Sequence, residues 1–227
     1  MNAPSLYPAR CIFCGKLMNE DKLICVDCMK EKILVTGKLC SFCGVEKELC
    51  SCGARKHQYD RKIACVYYKG DVRRGIARLK FYRHTMLAKH YGTLLAQNIR
   101  SKYSKISFDA IIPVPMNRIK ELYRGYNCTE LLSKEVEHLN NLPIINDVLF
   151  RRLRGVPQKR VSLERRAANV LDKFYVKNRE KIAGKTLLLI DDVCTTGATL
   201  NECAKMLKLY GAKKVYAATF AVVAKGK

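Results

Sequence analysis

The chain contains no tryptophan, only four histidines, and far fewer acids than bases: 20 Asp and Glu against 43 Lys and Arg in 227 residues. It also lacks any apolar run approaching the ~20 residues that span a bilayer. Each shortage excludes something. No transmembrane helix is expected, and the opening MNAPSLYPARC lacks the apolar segment of a secretory signal, so the expectation is a cytoplasmic protein. His57, His84, His90 and His138 have no metal-ligand spacing. No Ser/His/Asp or Cys/His arrangement for nucleophilic catalysis is evident either. The shortage of acid leaves a formal charge of +23, unevenly spread. Residues 1–60 hold 9 basic and 7 acidic side chains, residues 61–227 hold 34 and 13. Such a surplus favours polyanionic partners: nucleic acid, anionic membrane or a phosphate-rich small molecule. Solubility alone is the plainer explanation.

What the chain has in excess is cysteine. Eight of its twelve cysteines fall before residue 53, as Cys11-x2-Cys14, Cys25-x2-Cys28, Cys40-x2-Cys43 and Cys50-x-Cys52. Two thiolates two residues apart grip one ion from a single tight turn, and two such turns complete a tetrahedral four-sulphur site. A disulfide framework conflicts with the missing secretion signal. Two structural Zn²⁺ ions are expected, the simplest pairing being Cys11, Cys14, Cys25 and Cys28 on one and Cys40, Cys43, Cys50 and Cys52 on the other. Interleaved pairing stays open.

From about residue 57 the texture changes. IACVYY (63–68), DAIIPVP (109–115), TLLLI (186–190) and KVYAATFAVV (214–223) read as strands. Residues 71–81, 85–100 and 130–139 read as helices, and Leu200, Cys203, Ala204 and Leu207 follow helical spacing up to Gly211. Alternation of this kind predicts an α/β domain with a mainly parallel sheet flanked by helices, whose ligands bind beyond the carboxyl ends of the strands.

At one such end stands LLLIDDVCTTGATL (187–200). Two adjacent acids, Asp191 and Asp192, close an apolar strand and are followed by Val193, Cys194, Thr195, Thr196, Gly197, Ala198 and Thr199. A loop of this composition at a helix start offers backbone N–H groups and hydroxyls to a phosphate, while carboxylates accept hydrogen bonds from sugar hydroxyls. A capping acid beside a solvated one is the plainer alternative. Cys194 is read as a small residue filling a tight loop, and Cys65, Cys128 and Cys203 as packing residues.

The stretch resembles the phosphoribosyl-diphosphate (PRPP) signature of type I phosphoribosyltransferases, and AIIPVPMN (110–117) is similar to that family's diphosphate loop. The order of motifs narrows the resemblance. Paired cysteine units, YYKGDVRRGIARLKF, PVP, RGYN, RRLRGVPQ and the PRPP signature together resemble the ComF competence-protein family, along nearly the whole chain. The resemblance implies a double zinc ribbon over residues 1–56 and a phosphoribosyltransferase-like domain over 57–227. It also implies PRPP with Mg²⁺ as ligand, and a role in natural transformation: handling incoming single-stranded DNA, near the DNA-uptake machinery at the cytoplasmic membrane face.

Carried over residue by residue, Asp191 and Asp192 would meet the ribose 2′ and 3′ hydroxyls and Val193 to Thr199 the 5′-phosphate. Pro113, Val114 and Pro115 would lie along the diphosphate. Lys80 and Arg124 are the candidate cations, a solvated helix lysine being the plainer view of Lys80. Arg154, Gln158 and Arg166 belong to a segment with seven Lys/Arg between 151 and 166 and one Glu, read as a hood or a nucleic-acid contact. Two departures count against transfer chemistry. Cys128 stands where the family commonly has Gln, and Gly155 where it usually has Thr. A metabolic transferase with an unidentified nitrogen acceptor and a non-catalytic PRPP sensor are the alternatives. Basic residues interleaved with Tyr67, Tyr68, Phe81, Tyr82, Tyr123 and Tyr126 would suit base stacking; core packing is the plainer fate of most of these rings.

Overall fold

The computed structural model describes residues 9–18, 22–31, 33–50, 52–53, 57–152 and 173–224. In chain order its elements begin with α1 (Val26–Lys30), β1 (Arg61–Tyr67), α2 (Gly70–Phe81) and α3 (Met86–Lys102). They continue with β2 (Ala110–Pro113), α4 (Arg118–Arg124), α5 (Cys128–Asn140), β3 (Leu149–Arg151) and β4 (Phe174–Val176). The last three are β5 (Thr186–Cys194), α6 (Ala198–Leu209) and β6 (Lys214–Val222).

Four strands form one parallel sheet in the order β1-β6-β5-β2. Strands buried on both faces carry near-continuous apolar runs, which explains LLLI in β5 and AIIP in β2. Alternate side chains serve opposite faces. Leu188, Ile190, Ala218 and Phe220 face α2, α3 and α5 in one core, while Leu187, Leu189, Val215 and Ala217 join α6 in the other. Asn127 caps α5, its Oδ1 accepting from the Thr129 N–H at 3.0 Å, and Asn117 caps α4 in the same way at 2.9 Å.

The cysteine-rich segment packs onto this sheet, one half on each face. On the first face Phe13 lies in the core against Tyr91 and Phe220, with ring centroids 5.9 and 6.3 Å away. The Tyr91 hydroxyl donates to the Ile12 carbonyl at 2.8 Å, and Arg78 of α2 donates to the Phe13 carbonyl. Gly75 of α2 allows this approach, since a Cβ there would meet the Tyr91 hydroxyl and the Ile12 carbonyl. Val35 and Val45 join the opposite core. Leu34 forms an antiparallel bridge to Val66, covering the otherwise open edge of β1. Packing thus crosses the change of texture near residue 57.

The expected strands and helices are found, most of them within two residues. The exception is β5, expected to end at residue 190. It runs on to Cys194 because Asp191, Val193 and Cys194 stay paired with Thr219, Ala221 and Val222 of β6. Neither α4 nor the antiparallel β3–β4 pair was expected. No helix among the described residues is long and apolar enough to cross a membrane.

A shared core has a measurable consequence. Phe13→Ala is expected to lower unfolding stability by about 3 kcal/mol, read from denaturant curves of the zinc-loaded chain. The wild type should unfold in one transition; two resolved transitions would show that ribbon and sheet are held by separate cores.

Candidate functional site

The two cysteine clusters pair sequentially. Cys11, Cys14, Cys25 and Cys28 bring their sulphurs within 4.8 Å of one another, and so do Cys40, Cys43, Cys50 and Cys52. Close pairs stand 3.8 Å (Cys11–Cys28), 3.6 Å (Cys14–Cys25) and 3.5 Å (Cys43–Cys50) apart. Four sulphurs about 2.3 Å from one ion would sit roughly 3.8 Å apart, so both sets fit structural Zn²⁺. Four-thiolate sites leave no open position for water or substrate, which makes their role architectural.

The acids at the end of β5 lie at the rim of the sheet, half-buried, with Asp191 opposite Thr219 of β6. Asp191 Oδ1 accepts from the Asp192 backbone N–H at 2.9 Å. Burial, and then the neighbouring Asp192 carboxylate, push Asp191 up to about 7 from its ordinary 3.8. Lys80, near the end of α2, turns toward the pair and holds Asp192 Oδ2 at 2.6 Å, both side chains being largely covered. The sequence left Lys80 between a site cation and a solvated lysine; the geometry joins it to the acids.

Beyond Cys194 the chain turns through the exposed Thr195 and Thr196 to Gly197, whose φ of +80° favours glycine and which caps α6 without a side-chain bond. The first N–H groups of a helix have no intrahelical partner, so this turn can receive an anion. Beneath it lies a residue that sequence reading missed. Lys62 of β1 is only 2% exposed and donates from Nζ to Cys194 Sγ at 2.9 Å. It also lies close enough to Asp191 to favour that carboxylate's ionised form. A lysine just ahead of an apolar strand reads as solvated, and nothing short of the register of β1 signals otherwise.

Pro113 and Val114 are buried beside β5, the Val114 N–H donating to the Ile190 carbonyl at 2.9 Å, and Pro115 follows at the rim. Pro113 and Pro115 border an open cavity of about 840 Å³ between α4 and the β3–β4 pair, lined also by Arg118, Arg151 and Arg152. Arg124 lies beside sulphur: Nη1 is 3.4 Å from Met116 Sδ and 3.3 Å from Cys128 Sγ, and the guanidinium covers the Phe81 ring at 5.4 Å. Cys128 is buried, and burial first, then Asp192, raise its thiol. Of the six interleaved aromatics, Tyr67 is in the core and Tyr68 and Tyr126 are half-buried; Phe81, Tyr82 and Tyr123 are exposed. Arg154, Gln158 and Arg166 lie outside the described residues.

Both parts of the chain resemble known proteins. The family described as phosphoribosyl transferase domain matches residues 80–227, and the double zinc ribbon domain family matches residues 3–65. Competence protein F of Haemophilus influenzae is 27% identical over 221 residues, covering 93% of this chain and 96% of that protein. Competence protein ComFC of Bacillus subtilis is 26% identical over 202 residues, covering 84% and 80%. Among solved structures, the glutamine PRPP amidotransferase from B. subtilis is 22% identical with a TM-score of 0.42, the match taking in 58% of this chain and 25% of that longer one. The chain belongs to the phosphoribosyl transferase domain family, with a double zinc ribbon ahead of that domain, and is a member of the ComF family.

Proposed function

We propose that the chain binds PRPP, or a related ribose phosphate, with Mg²⁺ at the carboxyl end of β5, and serves DNA uptake by handling incoming single-stranded DNA on the cytoplasmic side of the membrane. The observation that carries the ligand is the join of β5 to α6. Two carboxylates, one paired with Lys80 at 2.6 Å, run directly into a helix start able to hold a phosphate. The names of the relatives, competence proteins, support the setting.

Asp191 and Asp192 accept the ribose hydroxyls, residues 195–199 hold the 5′-phosphate, and the turn 113–115 lies along the diphosphate. Mg²⁺, when bound with PRPP, would neutralise part of the diphosphate charge. Single-stranded DNA is supported by the +21 balance of residues 61–227 and by exposed rings near cations: Phe81, Tyr82 and Tyr123 are 68%, 69% and 88% exposed. Binding without transfer is the second reading, favoured by one observation. Arg124, the cation expected beside the diphosphate, is engaged with two sulphurs and a ring.

Calorimetric titration of PRPP with Mg²⁺ tests the ligand. The zinc-loaded wild type is expected to bind. The double variant Asp191→Asn, Asp192→Asn should bind about a hundredfold less tightly, since hydrogen bonds to charged groups contribute ~1.5–3 kcal/mol each. No heat from the wild type would remove the reading. The DNA arm predicts single-strand binding that weakens steeply with salt, survives the acid double variant, and falls when Tyr123 or Phe81 becomes Ala.

The acid pair also sets a pH dependence. A carboxyl raised from 3.8 to about 7 by folding holds its proton in the native state across that interval, while the unfolded chain has released it. Its contribution to stability is therefore greatest at the acid end and declines as pH rises toward 7. Asp191→Asn should be more stable than wild type at pH 8, by an amount on the order of 4 kcal/mol, and the advantage should vanish near pH 4. Paired denaturant curves across this range check it.

A further inference from the structure

Lys62 is a buried cation with a poor partner. Its ammonium is shut from water, yet its hydrogen bond goes to a cysteine sulphur, a weak acceptor. Removing an ammonium from water costs several kcal/mol unless charge answers it. The anion-receiving turn begins at that same cysteine, so an anion held there would add its negative charge to that of the nearby Asp191 carboxylate.

The second cysteine cluster places this cation. The Lys62 N–H donates to the Ser41 carbonyl at 2.8 Å, inside the Cys40–Cys43 turn. Gly44 closes that turn at φ +67°, where a Cβ would stand 3.1 Å from Lys62 Cε and 3.2 Å from its carbonyl oxygen. Tyr59 makes a second connection. Its hydroxyl donates to the Phe42 carbonyl at 2.7 Å and lies 3.6 Å from where a Cβ of Gly197 would be. Two side chains thus run from one cysteine turn to the underside of the anion-receiving turn. The first cluster lies across the sheet, against α2 and α3, and reaches neither.

We propose that Lys62 and Tyr59 are positioning residues that couple the second zinc site to phosphate binding: metal in the Cys40, Cys43, Cys50, Cys52 cluster strengthens phosphate binding at residues 195–199, and bound phosphate retards loss of that metal. This rests on the reading of 195–199 as the phosphate site. Linkage is reciprocal, so either direction reports it, and couplings of this kind are typically about 5- to 150-fold.

The test is chelator-driven zinc release from the full, zinc-loaded chain, followed with a metallochromic dye, with and without saturating ribose 5-phosphate. Two release phases are expected. The ligand should slow one of them about fivefold or more, and that phase should be missing from Cys50→Ser, whose remaining phase ignores the ligand. Lys62→Met should abolish the slowing. If Lys62→Met proves unable to hold zinc by itself, Tyr59→Phe carries the same test, and the slowing must shrink in it. Calorimetry of ribose 5-phosphate separates the two ideas. Binding heat with neither phase slowed, or both slowed equally, overturns the coupling and leaves the phosphate site standing. Absence of heat removes the phosphate reading, and the coupling with it.

Discussion

Four charged side chains meet at the carboxyl end of β5, and much of the molecule is arranged around keeping them there. Asp191 and Asp192 are adjacent and half-buried, Lys80 lies 2.6 Å from Asp192, and Lys62 is almost wholly enclosed. Groups of this kind would be fully hydrated in an unfolded chain, so their gathering costs free energy that apolar packing elsewhere must offset. The sheet supplies that packing from two cores, one on each face. Each charge then arrives on a separate rigid element: the acids on β5, Lys80 on α2 and Lys62 on β1. A site built on strands and helices in this way is held more firmly than one on loops.

The zinc ribbons take part in that support. A four-stranded sheet has two edges and two faces to cover, and among the described residues α6 is the one helix of the second face. Residues 33–35 and 45 fill the remainder, pairing along β1 and adding Val35 and Val45 to the core. On the first face the Cys11–Cys14 turn fixes α2 through Arg78 and Gly75, and α2 carries Lys80. Metal held by these cysteines would therefore stand in for apolar volume that a larger domain would provide, where the charges need a firm floor.

Much of this was legible in the sequence because its signals are local. Cysteine spacing marks a metal turn whatever lies beyond it. The runs LLLI and AIIP can be buried strands before any partner is known, and two acids after such a run mark its end. What stayed hidden depends on partners distant in sequence. Helix α4 has no buried residue, so it carries no apolar periodicity to read. Strands β3 and β4 are three residues each and are defined by one another across a long interval. The continuation of β5 through the acids was invisible because β6, far along the chain, provides the pairing. Lys62 is the sharpest case: a charged residue beside an apolar strand reads as solvated until Ser41, Gly44 and Cys194 are seen around it.

The same distinction bears on whether the site transfers or only binds. In the proposed reading, ribose and phosphate are recognised by groups carried on β5 and its turn, Leu187 to Leu200. Departure of a diphosphate needs cations aligned on the opposite side as charge develops. Cys128, where the family it resembles commonly has Gln, is buried, and Arg124 Nη1 lies 3.3 Å from its sulphur. A thiol takes part in hydrogen bonding weakly where an amide would have offered two donors and an acceptor. Arg124 lies against Cys128, Met116 and Phe81. To assist a leaving diphosphate it would have to leave those contacts, whereas nothing need move for Asp191 and Asp192 to accept a sugar. Of the two proposed readings, holding a ribose phosphate therefore asks for less rearrangement of these side chains than breaking its C1 bond would.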